Sequence, residues 1–242
     1  MSYLGFVQTL CEGYLAGYKT PSVLEIGIHR GQTALPLIHN LCHFEGFTYV
    51  GLDIAIQQLV IEQLTHYKNV SVFGLDPKSG RDAILQHVNS LEWLELNQNR
   101  VSKFDLVLVD GDHNYKTVSK ELELLQAVIH PMTIIVCDDY SGQWAETDLY
   151  YADRDEYKDN EKATQREESE RQGVKNAVDD FVNENPDWHA TGLPGQDPVL
   201  LYRHDVWNEM TLSIETPPGR SPVLARDVKL TAKLRPKHGG KQ

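Results

Sequence analysis

The chain has 242 residues, of which 40% are hydrophobic and 24% are charged, so it can form one sizeable α/β domain with additions. Its net charge of −12 argues against nucleic acid as a main partner, because the phosphate backbone requires clustered Lys and Arg. Its three cysteines form no Cys-x-x-Cys pair, so we expect a cytoplasmic protein. No apolar run reaches the roughly 18 residues of a membrane span, so we expect that it does not bind membranes.

Short apolar runs alternate with helical patterns over residues 21–140. Within residues 104–109 the run at 106–109 is continuously apolar, as expected for a parallel strand that is covered on both faces. Five such alternations predict an α/β fold with a Rossmann-like, doubly wound, mostly parallel sheet. The predicted strands are residues 22–28, 47–54, 70–73, 104–109 and 133–137, and the predicted helices are residues 35–42, 56–67, 80–95 and 115–130.

The last predicted part of the domain is a helix at residues 174–185 and an antiparallel strand pair at 188–193 and 199–202. With that pair, the sheet is predicted to have seven strands and to close with an antiparallel strand. The pattern of apolar runs ends there, so residues 21–203 are predicted to be one domain.

Three segments fall outside this alternation. Residues 1–20 are predicted to form an amphipathic N-terminal helix. Residues 144–172 carry ten acidic and five basic side chains and are predicted to form an exposed acidic insertion or lid. Residues 204–242 carry seven basic and four acidic side chains and are predicted to form an extended basic C-terminal arm. The N-terminal helix and the arm are candidate surfaces for a homo-oligomer.

The first predicted strand leads into a turn that contains Gly27 and Gly31. Two glycines four residues apart let the chain turn tightly and approach a ligand closely, and a purely structural turn is the alternative. Their spacing differs from the Gly-x-Gly-x-x-Gly of dinucleotide-binding proteins. The second strand ends at Asp53, whose carboxylate can accept both hydroxyls of a ribose. Capping of the next helix is the alternative role for Asp53.

Glu-x-Gly-x-x-x-Gly after the first strand, followed by an acid after the second, resembles the class I S-adenosylmethionine (SAM) dependent methyltransferases over residues 20–203. The resemblance implies that the two glycines flank the methionyl part of SAM and that Asp53 holds its ribose. It also implies that Glu25 shapes the turn or reaches the SAM ammonium group. Gly74 and Asp76 would lie in the adenine pocket.

Acidic residues follow the fourth and fifth predicted strands, namely Asp110 after one and Asp138 and Asp139 after the other. Neighbouring parallel strands bring these carboxylates to the same edge of the sheet, where they repel one another and raise one another's pKa. Mg²⁺ relieves such repulsion and accepts oxygen ligands. The alternative role for side chains in this loop is to cap the following helix, and either Asp112 or Asn114 is placed to do so.

His113 lies in the loop three residues after Asp110, and its ordinary pKa suits a general base near neutral pH. The pattern Asp-Gly-Asp-His-x-Tyr, with Asp-Asp after the next strand, resembles metal-dependent small-molecule O-methyltransferases, in particular macrocin-type sugar O-methyltransferases and cephalosporin-pathway proteins. Catechol-type members carry Lys where this chain has His113. The resemblance implies that Asp110, Asp138 and Asp139 bind Mg²⁺, that Asp110 also borders the cofactor, and that His113 deprotonates a small-molecule hydroxyl.

Three rival interpretations remain open at the level of sequence. They are a metal-independent N-methyltransferase, a non-catalytic SAM-fold module that acts in binding or assembly, and a nucleotide-dependent oxidoreductase, for which the glycine spacing is wrong. The aromatic residues Trp144, Tyr150 and Tyr151 of the acidic insertion either stack on the methyl acceptor or anchor the insertion to the core.

Overall fold

The computed structural model describes residues 13–64, 70–72, 81–98, 103–192, 196–203, 207–215 and 229–236, together with Gly5, Val7, Leu10 and Val101. Gly5, Val7, Leu10 and Gly13 are helical. The further helices are α1 (Ala34–Leu41), α2 (Gln58–Leu64), α3 (Ser90–Asn97), α4 (Tyr115–Leu125) and α5 (Gly173–Glu184), with short 3-10 turns at Leu15–Gly17 and Tyr151–Asp153.

The described strands form one large sheet and one separate ribbon. They are β1 (Ser22–Ile26), β2 (Phe47–Asp53), β3 (Val70–Val72), β4 (Arg81–His87), β5 (Phe104–Val109), β6 (Ile129–Cys137), β7 (Trp188–Gly192), β8 (Val199–Arg203), β9 (Trp207–Glu215) and β10 (Lys229–Pro236). The large sheet has the order β3-β4-β2-β1-β5-β6-β8-β7. Strand β8 is antiparallel to both neighbours, and the remaining pairs are parallel.

This architecture confirms the predicted fold class. Seven strands of the large sheet, among them the three-residue β3, correspond to the predicted strands of the mostly parallel sheet with its final antiparallel strand, and the unpredicted β4 is an eighth strand between β3 and β2. All six residues of β5 are buried, which explains the continuous apolar run at residues 106–109. Cys137 at the end of β6 is also buried and free.

The helix predicted at residues 80–95 is wrong in its first half. Arg81–His87 is the strand β4, which pairs in parallel with β2 over its whole length, and the helix α3 begins only at Ser90. The side chain of Asn89 caps this helix by accepting hydrogen bonds from the N–H groups of Leu91 and Glu92. The apolar residues of this segment fit a helical stripe as well as a strand. The segment forms a strand because its backbone pairs with the edge of β2.

The acidic insertion is described throughout residues 144–172. Its ends meet at the base, where the N–H groups of Val174 and Lys175 donate to the carbonyl oxygens of Trp144 and Ala145, both at 3.0 Å. Tyr150 is fully buried, so this aromatic residue anchors the insertion to the domain. The insertion is therefore a closed loop fixed to the core and carries an exposed acidic outer surface.

Two strands of the predicted C-terminal arm form an antiparallel ribbon of their own. Strands β9 and β10 pair with each other from Glu215 and Lys229 to Trp207 and Pro236. In the part of the chain that the structure describes, no helix is both long and apolar enough to cross a membrane.

Candidate active site

The glycine turn after β1 brings the ends of three strands together. Gly27 has a φ of 91°, its N–H donates to the carbonyl of Leu52 at 2.8 Å, and the N–H of Asp110 donates to the carbonyl of Ile26 at 2.9 Å. A Cβ atom on Gly27 would lie only 1.9 Å from the backbone oxygen of Asp110. Gly27 is therefore required for the backbone conformation and for the close approach of β5. Gly31 also has a positive φ, of 71°.

Asp53 holds this turn from the end of β2. Its Oδ2 accepts the N–H groups of Ile28 at 2.9 Å and His29 at 2.7 Å, and its Oδ1 accepts the N–H of Ala55 at 2.6 Å. It does not cap the next helix, because α2 begins five residues later, at Gln58. A carboxylate offers about four acceptor positions, and three of those of Asp53 are occupied, so one remains for a ligand. Asp53 could accept both hydroxyls of a ribose only if one of the three backbone N–H groups released its hydrogen bond.

Glu25 lies beneath the same turn and is 1% exposed. The hydroxyl of Tyr49 donates to its Oε2 at 2.7 Å. Burial raises the pKa of Glu25 to about 8, with a smaller contribution from the negative charge of Asp53. Glu25 is not among the residues that line the neighbouring cleft, so its position fits a role in shaping the turn.

A cleft opens above the glycine turn, with an empty volume of about 540 Å³ that includes the open solvent at its mouth. The acidic insertion forms one of its walls: Asn160 Nδ2 donates to the carbonyl of Ile54 at 2.9 Å, and Asn89 Nδ2 to Thr164 Oγ1 at 3.0 Å. The lining residues are Ile26, Gly27, His29, Leu52, Asp53, Ile54, Val88, Asn89, Ser90, Asp110, Gly111, Asp112, Tyr151, Tyr157 and Thr164.

Several of these lining residues were not predicted from the sequence. Val88, Asn89 and Ser90 follow β4, which pairs with β2. Gly74 and Asp76 themselves lie outside the described residues. Asn89 was recognisable as a possible helix cap, whereas the approach of Tyr151 and Tyr157 depends on how the insertion folds back.

The described lining of this cleft is acidic. It includes Asp53, Asp110 and Asp112 and contains neither Lys nor Arg. A phosphate group would meet repulsion there, whereas a ligand with a positive charge would be attracted. This charge pattern disfavours a dinucleotide and suits a sulfonium cofactor.

The helix cap at α4 is Asn114 and not Asp112. The Oδ1 of Asn114 accepts the N–H of Thr117 at 2.8 Å. Asp112 instead accepts the N–H of Tyr151 at 3.2 Å, and burial raises the pKa of its carboxyl to about 6. Asp112 therefore connects the loop after β5 to the insertion.

The three predicted metal ligands meet at one edge of the sheet. The N–H of Asp138 donates to the carbonyl of Val109 at 3.0 Å, and the carboxyl groups of Asp110 and Asp138 are near enough to shift each other's pKa. Burial, reinforced by the neighbouring carboxylates, raises the pKa of Asp110 well above its usual range and that of Asp138 to about 6. Asp139 follows with a positive φ of 55°.

His113 lies between two of these acids. Its Nδ1 is 3.4 Å from Asp139 Oδ2, and its Nε2 is 3.9 Å from Asp110 Oδ1. Burial lowers the pKa of His113, and the negative charge of Asp139 opposes this shift. The imidazole is therefore neutral near pH 7 and able to accept a proton.

The donor chemistry of this cluster suits a hard divalent cation. Three carboxylates converge, and Asp138 Oδ1 is buried without a hydrogen-bond partner, as expected of an atom that would accept a metal ion. Within the described residues, however, no three His, Cys, Asp or Glu side chains stand at the spacing of a formed metal centre. The carboxylates would have to move towards each other around an ion.

The insertion fixes the loop that carries His113. Asp148 Oδ1 accepts the N–H of Tyr115 at 2.8 Å and that of Gly173 at 2.7 Å, so one carboxylate caps the first residues of both α4 and α5. The N–H of Leu149 donates to the carbonyl of His113 at 3.0 Å. This clamp at residues 148–149 was not predicted from the sequence.

The fold and the acidic cleft fit a class I SAM-dependent methyltransferase. Residues 24–140 match the sequence family of a methyltransferase domain. This match and the sequence motifs support a class I SAM-dependent methyltransferase, and therefore an enzyme, as the motifs predicted.

Solved structures of this fold are similar to the chain. CalS11, a TDP-rhamnose 3'-O-methyltransferase of calicheamicin biosynthesis, has a TM-score of 0.51 and 15% identity, with 82% of this chain and 78% of that chain covered. The O-methyltransferase TomG from Streptomyces achromogenes, in complex with SAM, has a TM-score of 0.45 and 15% identity, covering 82% and 76%.

A third structure, MycE of mycinamycin biosynthesis in complex with Mg and SAH, has a TM-score of 0.48 and 15% identity. The match covers 82% of this chain and 48% of that chain. No curated protein is significantly similar to the chain in sequence.

Proposed function

We propose that the enzyme transfers the methyl group of SAM to a hydroxyl of a small molecule of the sugar or natural-product type, with His113 as the general base. The observation that carries this proposal is the buried, neutral imidazole next to the cofactor cleft, between Asp110 and Asp139. A hydroxyl needs such a base because it must lose its proton as its oxygen attacks a methyl group.

The cleft residues would bind and orient the cofactor. The turn with Gly27 and Gly31 would lie against its methionyl part, and Asp53 would accept a ribose hydroxyl with its remaining acceptor position. When bound, SAM supplies a methyl group on a positively charged sulfonium. The position of Asn89 and Ser90 in the cleft wall suits recognition of the adenine end.

Proton transfer would be the task of His113. The imidazole would take the hydroxyl proton, and the resulting positive charge would be stabilised by Asp139, whose Oδ2 is 3.4 Å from Nδ1. The backbone hydrogen bond between His113 and Leu149 keeps the base at the edge of the cleft. Holding the acceptor oxygen and the methyl group about 3 Å apart would supply a large share of the rate.

A magnesium ion forms the second part of the proposal, with Asp110, Asp138 and Asp139 as its ligands. The ion would lower the pKa of the acceptor hydroxyl and fix its direction. The convergence of the three carboxylates and the unpartnered Asp138 Oδ1 support it. Metal-free catalysis is the alternative, and it is favoured because no three His, Cys, Asp or Glu side chains among the described residues are arranged to hold a metal ion.

The decisive experiment measures methyl transfer to a panel of polyhydroxylated acceptors with Mg²⁺ and then with a chelator. We expect turnover with Mg²⁺ and its loss in the chelator, and full activity in the chelator would rule out the metal. Binding of SAM without turnover on any acceptor would favour a non-catalytic module, and transfer only to amines would favour an N-methyltransferase.

The general base is tested by His113→Ala. We expect kcat to fall about 10²- to 10⁴-fold, the usual contribution of a general base. His43→Ala is the matched control, because His43 is exposed beyond α1 and away from the cleft, and this variant should keep the activity of the wild type. If His113→Ala stays within about tenfold of the wild type, His113 is not the base.

A further inference from the structure

Tyr151 of the acidic insertion lies where the cofactor cleft meets the general base. Its side chain lines the cleft together with Gly27, Asp53 and Asp110, and its ring centre is 6.3 Å from that of His113. Burial raises the pKa of Tyr151, and the nearby carboxylates, Asp110 first, raise it further. The ring is therefore close to both the acidic lining and the reacting side of the cleft.

The surrounding structure holds this ring in place. The N–H of Tyr151 donates to Asp112 Oδ1 at 3.2 Å, and two residues earlier the N–H of Leu149 donates to the carbonyl of His113. The ring of Tyr157 meets that of Tyr151 edge-on, with centres 5.3 Å apart and an angle of 81° between their planes. Tyr151 is thus positioned by the same loop that carries the base.

The transferred methyl group must pass from the cofactor in the cleft to the acceptor beside His113. If His113 deprotonates the acceptor, the acceptor oxygen lies beside His113, and the sulfonium that donates the methyl must face it from the cleft. An aromatic ring attracts a cation within about 6 Å of its centre. No Lys or Arg belongs to the described lining of the cleft, so no protein cation competes for the ring.

We propose that Tyr151 recognises the positive charge of the bound sulfonium and thereby makes the enzyme prefer SAM to its product, S-adenosylhomocysteine, which lacks that charge. The inference rests on the proposed function, because it uses the place of His113 to locate the sulfonium. It gives the insertion a part in cofactor selectivity and product release, in addition to its part in covering the cleft.

Isothermal titration of the full chain with SAM, S-adenosylhomocysteine and sinefungin tests the proposal. Sinefungin carries an ammonium group at the place of the methylated sulfur. In Tyr151→Leu we expect the Kd of SAM and of sinefungin to rise by about 3- to 30-fold, while the Kd of S-adenosylhomocysteine stays within about twofold of the wild type. Tyr151→Phe keeps the ring and should leave all three affinities nearly unchanged.

Tyr150→Leu is the matched control, because Tyr150 is the adjacent tyrosine of the same insertion but is fully buried outside the cleft. Any effect of loosening the insertion should appear there as an equal loss for all three ligands. An equal loss in Tyr151→Leu would mean that Tyr151 only packs, and the proposal would be wrong. If the wild type bound none of the three ligands, the proposed function itself would fail.

Discussion

Gly27 is the residue at which local conformation and site assembly depend on each other most directly. Its positive φ and the 1.9 Å that would separate an added Cβ from the carbonyl oxygen of Asp110 leave no room for a side chain. We expect Gly27→Ala to lower the free energy of unfolding by about 3 kcal/mol or more and to abolish SAM binding. Urea denaturation and titration calorimetry measure the two effects.

Gly17→Ala is the control for that substitution. A Cβ at Gly17 would meet no atom within 4 Å, so this variant should stay within about 0.5 kcal/mol of the wild type. If Gly27→Ala were equally harmless, the close approach between the turn and β5 would not be essential.

The buried carboxyl group of Glu121 makes the stability of the folded protein depend on pH. It is fully buried on α4, its Oε1 accepts the hydroxyl of Ser90 at 2.5 Å, and its Oε2 has no partner. Burial raises its pKa to about 8 from an ordinary value of 4.5. Between these values the folded state keeps a proton that the unfolded state has lost, so the free energy of unfolding falls as pH rises.

For Glu121 this fall is at most about 1.4 kcal/mol per pH unit between pH 4.5 and 8, and it ends above pH 8. Glu121→Gln keeps the acceptor for Ser90 and removes the titration, so we expect a shallower pH dependence and a gain in stability at pH 8. Glu25 contributes with the same sign, so part of the slope should remain.

Denaturant titrations from about pH 5 to about pH 9 measure this dependence. Glu123→Gln is the control, because Glu123 is exposed on the same helix and its variant should follow the wild type throughout. An unchanged slope in Glu121→Gln would show that Glu121 is not protonated in the folded protein near pH 7.

The site residues that the sequence predicts are those whose positions are set by the strand that they end or follow. Asp53, Asp110 and Asp138 come at the ends of strands whose apolar runs are visible in the sequence, so their shared edge of the sheet follows from the parallel topology. Tyr151 and Asp148 approach the same edge through a loop without periodicity. Their positions depend on contacts between distant segments, which a local pattern does not specify.

Among the helices and strands, β4 shows the same limit of prediction from a local sequence pattern. Ile84, Leu85 and Val88 satisfy the spacing of a helix face, yet Arg81–His87 is a strand because it completes the hydrogen bonds of β2. Tertiary pairing outweighs such a local preference. The consequence reaches the site, since Asn89 and Ser90, which follow β4, line the described part of the cleft.

The insertion affects the site through Asp148, which caps α4 and α5 with one oxygen. We expect Asp148→Ala to lower the free energy of unfolding by about 1–2 kcal/mol, the usual cost of losing a helix cap. Because α4 follows the loop of His113, we also expect kcat to fall by about tenfold, the effect of misplacing a catalytic group.

Denaturation and steady-state kinetics measure both effects of that substitution. Asp155→Ala is the control, because Asp155 belongs to the same insertion but its side chain is fully exposed. It should change neither stability nor turnover. A loss of stability in Asp148→Ala without any loss of kcat would limit Asp148 to a structural role.

At the scale of the whole molecule, the charge of the chain is unevenly distributed. The C-terminal arm, residues 204–242, carries an excess of three basic residues, so the remaining 203 residues carry a net charge of −15. Within that acidic body, the described cleft lining has three carboxylates without Lys or Arg. A cofactor with a net positive charge is therefore favoured over anionic nucleotides by long-range attraction as well as by direct contact.

The topology separates the arm from the domain. The large sheet closes with β7 and β8, whereas β9 and β10 are paired as strands only with each other among the described residues. An isolated two-stranded ribbon adds little stability on its own. We propose that residues 1–203 contain everything needed to fold and to bind SAM.

A chain truncated after Arg203 tests this division. We expect it to unfold cooperatively within about 4 °C of the full chain, which corresponds to less than about 1 kcal/mol, and to bind SAM with a Kd within about twofold, since none of the described cleft residues is removed. Sedimentation of both chains would report whether the arm holds a homo-oligomer, as a change in mass beyond that of the deleted residues. A truncated chain that loses SAM binding while remaining folded would place the arm in the cofactor site, against the proposed division.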